Sequence, residues 1–337
     1  MENYDKTLTE LGRPPLWLRD KVCVLPFSGR VMGLYPAEGL NVFWTNPALN
    51  SVAESRPLLS GQTWTNLGGD RTWISPEIEL FIKNMSHPME TYQVPAAVDP
   101  GNYQIVRSCE NEVELETAIT ADFFRSDCKV RLKLQKRITV LDKPDIPFNL
   151  PPGLAGAGYK VECGLSAVEP LPDSVRPAVW NLLQVPGGGE IIVPIKEQAL
   201  PVEFFGQPQY HLQNNNIRAA VPAASGYKFG VRPEDCTGMM FYRNLAAPQP
   251  FIILRRFEVK PGGGYSDVPY TAPEQPGSVQ QVYVDDGTYG GFGEMEHHSP
   301  ALISGNRSSL TDICTTWTFI GTAVKLYDFV KNFIELK

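Results

Sequence analysis

Two stretches of this 337-residue sequence bring together side chains whose types and spacing can do chemistry. The first reads Trp64-Thr65-Asn66-Leu67-Gly68-Gly69-Asp70-Arg71-Thr72-Trp73-Ile74-Ser75-Pro76-Glu77. Two indoles, an Asp-Arg pair and a further carboxylate are the mixture a sugar requires. Its C–H faces stack on aromatic rings, and its hydroxyls exchange hydrogen bonds with carboxylate and guanidinium groups. The Gly68-Gly69 pair would let backbone approach a ligand closely. A tight turn with core tryptophans and a surface ion pair fits the same residues. The second stretch reads Gly290-Gly291-Phe292-Gly293-Glu294-Met295-Glu296-His297-His298-Ser299-Pro300 and holds two of the four histidines. As a strand it would turn Glu294, Glu296 and His298 to one face and Met295 and His297 to the other. Carboxylates and an imidazole on one face can run general acid–base catalysis or ligate a metal, and a solvated polar strand face would read the same way.

Two flanking segments can add to such a site. Asp285 and Asp286, ahead of Gly287, are turn formers by default and potential acceptors for the same cleft. Val179-Trp180-Asn181-Leu182-Leu183-Gln184 offers an indole and amides suited to a sugar, or simply core. No metal site is assigned from these spacings, although the acidic cluster could hold Ca²⁺; no other cofactor is implied. The glycine pair is not followed by Gly-Lys-Ser/Thr, so it is not a P-loop. Neither a Gly-x-Ser-x-Gly elbow nor a His-Glu-x-x-His helix occurs, which argues against a serine hydrolase or a zincin.

The elements that would position these residues are strands. Gly and Pro make up 59 of 337 residues, well above the roughly 12 % of ordinary globular chains, which disfavours a helical bundle. Hydrophobic residues at 42 % supply a large core and exclude a disordered chain. Val130, Leu132, Leu134, Ile138 and Val140 alternate with Lys129, Arg131, Lys133 and Arg137, the period of a long strand with one solvated face. Val113, Leu115, Thr117 and Ile119 alternate with Glu112, Glu114 and Glu116. The two predict an antiparallel pair with cross-strand charge pairing, joined at about 121–127. Further strands are expected at 22–25, 31–35, 41–44, 104–106, 160–168, 190–194, 227–231, 239–243, 251–260, 281–284, 292–298 and 314–320. They are separated by Gly/Pro turn signals, with no βαβ rhythm. Ala323, Leu326, Tyr327, Val330, Phe333 and Ile334 have helical spacing and predict a helix at about 322–335 that buttresses a sheet. The whole of 1–337 reads as one all-β domain, a large antiparallel β-sandwich closed by that helix.

Net charge is −7 and basic residues are scattered, which disfavours a nucleic-acid partner. No run of 18 apolar residues suggests a membrane span. The N-terminus has no secretory pattern, and the six cysteines lack CxxC spacing. A cytoplasmic protein with reduced thiols is expected. Oligomeric state is left open.

In this order, these segments resemble the galactose-mutarotase-like superfamily, and within it a bacterial branch related to aldose 1-epimerases. The resemblance is carried by Asn66 to Glu77, Asp285-Asp286-Gly287, Gly293-Glu294-Met295-Glu296-His297-His298-Ser299-Pro300-Ala301 and Thr316-Trp317-Thr318-Phe319-Ile320-Gly321. It implies a β-supersandwich whose concave sheet face binds a small-molecule carbohydrate. It also implies an isomerase reaction in which a C-terminal glutamate takes the anomeric proton, a histidine protonates the ring oxygen, and the ring opens, turns at C1 and recloses. Glu294 stands where that glutamate is expected. The family's Glu, any residue, Gln and a nearby Pro become Glu294, Met295, Glu296 and Pro300. The family's histidine ahead of an aromatic-Asn-Leu stretch has no counterpart in Arg176-Pro177-Ala178-Val179-Trp180-Asn181-Leu182. His211 or His298 is then the candidate acid, and Trp64, Asp70, Arg71, Trp73, Glu77, Trp180, Asp286 and Glu296 are candidate substrate-binding residues. The alternative is a non-catalytic carbohydrate-binding or regulatory module on the same scaffold. A lyase or hydrolase using Glu294 and Glu296 ranks last, because residues two apart on a strand only marginally meet the ~6.5–9.5 Å carboxyl spacing of an inverting pair.

Overall fold

A computed structural model describes residues 3–60, 64–144, 146, 150–304 and 309–335. Its strands pair antiparallel throughout and form two sheets. The nine-stranded sheet runs, in spatial order, Leu16–Leu18, Val22–Leu25, Arg30–Leu34, Asp70–Ser75, Ala178–Val185, Gly293–His298, Gln280–Val284, Tyr227–Val231 and Val202–Phe205. The ten-stranded sheet runs Tyr210–Gln213, Asn216–Val221, Gly189–Pro194, Met239–Asn244, Phe251–Phe257, Ser309–Ile320, Ala155–Ala167, Cys128–Leu141, Glu112–Phe123 and Gln104–Cys109. One apolar core, including Val31, Ile74, Leu183, Val282, Met295, Leu134, Val161 and Ile253, fills the space between them. This is the expected all-β sandwich.

The long charged hairpin forms as its alternation requires. Glu112–Phe123 pairs with Cys128–Leu141, and Glu114 stands opposite Arg137, with their charged atoms 2.6 Å apart. Lys133 reaches diagonally to Glu116 at 2.8 Å, and Asp122 pairs with Lys129 at 3.0 Å. These pairs are solvated and contribute little stability each, but they fix register. The alternation breaks at Lys136, which lies on the inward face and is buried. There burial holds its ammonium below the ordinary lysine pKa, and its Nζ has no hydrogen-bond partner among the described residues.

The closing helix, Ala323–Glu335, lies on the outer face of the ten-stranded sheet. Leu326, Phe329, Val330 and Phe333 pack on Phe241, Ile252, Leu254, Trp317 and Phe319. The buried stripe takes Phe329 and leaves Tyr327 47 % exposed, a rotation of the expected face. Among the described residues, no helix is long and apolar enough to cross a membrane, and the six cysteines form no disulfide.

Other expectations fail for local reasons. Residues 41–44 are not a strand. The Asn41 side chain accepts from the backbone N–H of Leu34 and Phe43, occupying the donors that strand pairing would use. Helices at Asn3–Glu10, Val52–Leu59 and Glu77–Leu80 were not anticipated. The second begins with a Ser51-x-x-Glu54 sequence, and Ser51 accepts from the Glu54 N–H. Strands Asp70–Ser75 and Ala178–Val185 were missed because both of their faces are buried, which erases the alternation.

Asp70 is the clearest displacement from its expected role. It points into the core between the sheets, not to a ligand. Arg255 grips it with Nη1 and Nη2 at 3.0 and 3.1 Å, and the Tyr159 hydroxyl donates at 2.6 Å. Burial opposes its charge, but Arg255 and Lys136 outweigh that and hold its carboxyl below the ordinary aspartate range. Arg255→Met leaves a buried carboxylate uncompensated and should lower the unfolding free energy by about 3–5 kcal/mol in urea titrations. Adding Asp70→Asn should cost less than the sum of the single changes.

Candidate functional site

The central strands of the nine-stranded sheet set three rows of side chains on the face turned away from the core. Trp73, Trp180 and His298 are cross-strand neighbours, as are Gln184, Glu294 and Tyr283, and Leu182, Glu296 and Gln281. Loops close over this face and leave a cleft of about 440 Å³, within the roughly 300–1,000 Å³ of small-molecule sites. Its walls are aromatic, with Trp64, Trp73, Tyr92, Trp180, Phe204, Tyr270, Tyr283 and Tyr289, and its polar groups are few.

Two ion clusters lie on the cleft floor. In the first, Arg71 Nη2 donates to Glu294 Oε1 at 2.7 Å, and Gln184 Nε2 donates to the same oxygen at 2.9 Å. The guanidinium carbon of Arg71 sits 4.4 Å from the Trp73 ring centroid and 5.5 Å from that of Trp64. The indole N–H groups of both tryptophans donate to Asp99 Oδ2, at 3.2 Å from Trp64 and 3.1 Å from Trp73, while Arg30 holds Oδ1 at 2.6 Å. Asp99 therefore fixes the two rings that fix Arg71, which in turn orients Glu294. Arg71 Nη1 has no hydrogen-bond partner among the described residues.

In the second cluster one ammonium serves two carboxylates. Lys228 Nζ lies 3.2 Å from Glu296 Oε2 and 3.3 Å from Glu77 Oε2, and 4.4 Å from the Trp180 ring centroid. Trp180 Nε1 donates to Glu296 Oε2 at 2.8 Å, and the Tyr92 hydroxyl donates to Glu77 Oε1 at 2.8 Å. Burial opposes the charge on Lys228, but Glu296, Glu77 and Asp267 hold its pKa above the ordinary lysine value. With one cation between two carboxylates, burial pushes Glu296 up to about 8, opposed by Lys228 and reinforced by Glu294 and Glu77.

Of the residues singled out from sequence, Trp64, Arg71, Trp73, Glu77, Trp180, Glu294 and Glu296 meet in this cleft. Asp70, His211, His298 and Asp286 do not line it. His211 lies exposed on the edge strand Tyr210–Gln213 of the other sheet. Asp286 is exposed and accepts from the Thr288 N–H, as a turn former does. His298 shares the outward face but is buried outside the cleft, stacked on Trp180 at 5.2 Å, with Nδ1 3.1 Å from Ser75 Oγ and Nε2 3.8 Å from Asp267. Burial first, then Lys228 and His297, hold its pKa well below the ordinary histidine value, so it is neutral. The glycine pair is also reassigned. Gly68 and Gly69 have positive φ, and a Cβ on either would meet Trp44 O or Val31 O at 2.4 or 2.2 Å. The close approach is to neighbouring chain, not to a ligand.

Asp99, Lys228 and Tyr289 complete the site without having been singled out as site residues, and Gln184, one of the amides noted in its segment, joins them at Glu294. Lys228 did leave a signal, a lone cation inside the apolar strand Tyr227–Val231. Asp285 shapes the rim. It is buried, and its carboxylate accepts from the backbone N–H groups of Gly287, Tyr289 and Gly291. The loop so fixed holds Tyr289 edge-on to Trp64 at 5.9 Å. Among the described residues, no group of three or more His, Cys, Asp or Glu side chains is placed to hold a metal ion.

A neutral buried histidine makes stability depend on pH. The unfolded chain takes up the proton first as pH falls, so the contribution is complete above about pH 6.5 and declines below it by at most about 1.4 kcal/mol per pH unit. Chemical denaturation between pH 7 and 5 should show this slope, and His298→Asn should flatten it. His211→Ala should stay within about 0.5 kcal/mol of wild type at every pH.

A family model described as a family of unknown function, DUF6786, matches residues 21–337. No curated protein sequence matches the chain. Among solved structures, a putative aldose 1-epimerase from Escherichia coli K12 aligns with TM-score 0.54 at 8 % identity, covering 90 % of this chain and 97 % of its own. A putative aldose 1-epimerase from Klebsiella pneumoniae aligns with TM-score 0.49 at 10 % identity, covering 93 % and 80 %. A putative mutarotase from Salmonella typhimurium aligns with TM-score 0.48 at 10 % identity, covering 89 % and 87 %. The two-sheet architecture is thus shared with the Escherichia coli protein across nearly the whole of both chains. The chain belongs to the DUF6786 family and has the galactose-mutarotase-like fold.

Proposed function

We propose that this protein binds a carbohydrate of pyranose size in the aromatic cleft and catalyses ring opening there, as an aldose 1-epimerase-like isomerase with Glu294 as the base. The observation that carries this reading is the setting of Glu294. Its carboxylate is held by Arg71 and Gln184 on the floor of a cleft walled by Trp64, Trp73 and Trp180. A sugar stacked on these rings would bring its anomeric hydroxyl to a preoriented acceptor. The structural neighbour from Escherichia coli, a putative aldose 1-epimerase, points the same way. A cytoplasmic setting goes with the reading.

A second reading, carbohydrate binding without turnover, is favoured by one observation. None of the four histidines lines the cleft. The two readings separate in a polarimetric assay of freshly dissolved α-D-glucose, α-D-galactose and a wider panel of aldoses. Catalysis predicts optical relaxation faster than buffer, and a drop of about 10²–10⁴-fold in Glu294→Gln while that variant still binds the sugar. Binding alone predicts no acceleration with any sugar and equal affinity in wild type and Glu294→Gln. Under either reading, Trp64→Ala should weaken sugar affinity about fivefold by titration calorimetry, the loss of one stacking surface.

A further inference from the structure

The ring-opening reaction needs an acid as well as a base, and the cleft offers no imidazole. We propose that Glu296 is that acid: its carboxyl, two residues from Glu294 on the same strand face, gives its proton to the ring oxygen while Glu294 takes the anomeric proton, and Lys228 is the positioning residue that stabilises the carboxylate left behind. The inference deepens the epimerase-like reading and rests on it.

Placement comes first. Residues two apart on a strand present their side chains from Cα atoms about 6.7 Å apart on the same face. The two oxygens that exchange protons in ring opening are both bonded to C1, so neighbouring carboxyls leaning toward one point can serve both. Glu294 and Glu296 both line the cleft, and Glu296 lies at its floor, withdrawn from bulk water.

The two carboxyls have opposite surroundings. Glu294 has a guanidinium at 2.7 Å and an amide donor at 2.9 Å, the partners of an anion. Glu296 shares its cation, Lys228, with Glu77. Its Oε2 is occupied by Lys228 and Trp180, and its Oε1 has no hydrogen-bond partner among the described residues, which leaves that oxygen to carry a proton. The other charged groups around it do not alter this balance. Arg71 is committed to Glu294, and Asp267 accepts from the Glu77 N–H and from Gln281, while His298 is neutral. Burial, Glu294 and Glu77 favour the protonated form of Glu296, and its pKa of about 8 places that proton within the working range of an acid at neutral pH. One carboxylate and one carboxylic acid separated by environment is the arrangement that divides base from acid in carboxyl-based catalysis.

The step balances. Glu294 takes the hydrogen of the anomeric O–H as the C1–O bond to the ring oxygen breaks and C1=O forms. The ring oxygen takes the Glu296 proton and becomes a hydroxyl. Glu294 is then protonated, and Glu296 is an anion beside Lys228. After the C1–C2 bond rotates, Glu296 recovers its proton as that hydroxyl adds to the other face of C1, and Glu294 returns its proton to the new anomeric oxygen. No co-reactant is consumed.

The test is polarimetric mutarotation of α-D-galactose and α-D-glucose across pH 5 to 10. Wild type should lose activity as pH rises through about 8. Glu296→Gln, nearly isosteric, should lower kcat by about 10²–10⁴-fold and abolish that alkaline limb while sugar affinity stays within a few-fold. Glu296→Asp should restore part of the rate together with a limb. Lys228→Met should move the limb upward by about one pH unit or more, because the cation that favours the anion is gone. A Glu296→Gln variant with the wild-type rate, or with the wild-type alkaline limb, overturns the assignment and leaves the epimerase-like reading intact. A wild type that accelerates no sugar overturns both.

Discussion

The middle strands of the nine-stranded sheet are buried on both faces, and most of what distinguishes this molecule follows from that constraint. A polar side chain placed there cannot rely on water and must find a partner within the protein. On the inward face the partners come from the other sheet. Arg255 and Tyr159 satisfy Asp70, and Asp312 bonds both His297 and Asn181, at 2.9 and 2.8 Å. On the outward face they come from the covering loops and the neighbouring strands, which supply Asp99, Glu77 and Lys228. Charged groups beneath both faces tie the sheets and the loops into one register, a role better attested for such groups than net stabilisation.

On the outward face two groups at the cleft floor lack a full set of partners among the described residues. The inward carboxylate Asp70 has its oxygens filled by a bidentate arginine and a phenol. The outward groups retain capacity at Glu296 Oε1 and Arg71 Nη1. Unpartnered buried polar atoms are not confined to this face: toward the core, Lys136 Nζ, Arg255 Nε and His297 Nδ1 also lack a hydrogen-bond partner among the described residues. The difference between the two faces of one strand, Asp70 inward and Arg71 outward, separates scaffold from site.

Much of this was legible in the sequence, and the illegible parts have identifiable causes. The hairpin of 112–141 could be read because one of its faces is wet, and so could Gly293–His298, because its acidic and imidazole side chains alternate with others whichever face is buried. Asp70–Ser75 and Ala178–Val185 could not, since burial on both sides removes the period that marks a strand. For the site, residue type identified Trp64, Arg71, Trp73, Glu294 and Glu296, but side-chain direction separated Asp70 from Arg71, and direction depends on a strand that had no visible period. Asp99 had no local signal, because its role depends on two indoles and an arginine distant in sequence. Neither Lys136 nor Lys228 is marked by the sequence pattern as buried, yet both cations are enclosed within the protein.

The Asp285 carboxylate, which gathers the backbone amides of Gly287, Tyr289 and Gly291, has a kinetic consequence. A rim segment tied by its own aspartate has already paid its ordering entropy before a ligand arrives. Tyr289 therefore stands as a fixed post beside Trp64 instead of a flap that must fold over the bound molecule. For the proposed sugar, entry would then be set by diffusion, and residence time by stacking and floor contacts instead of by movement of this segment.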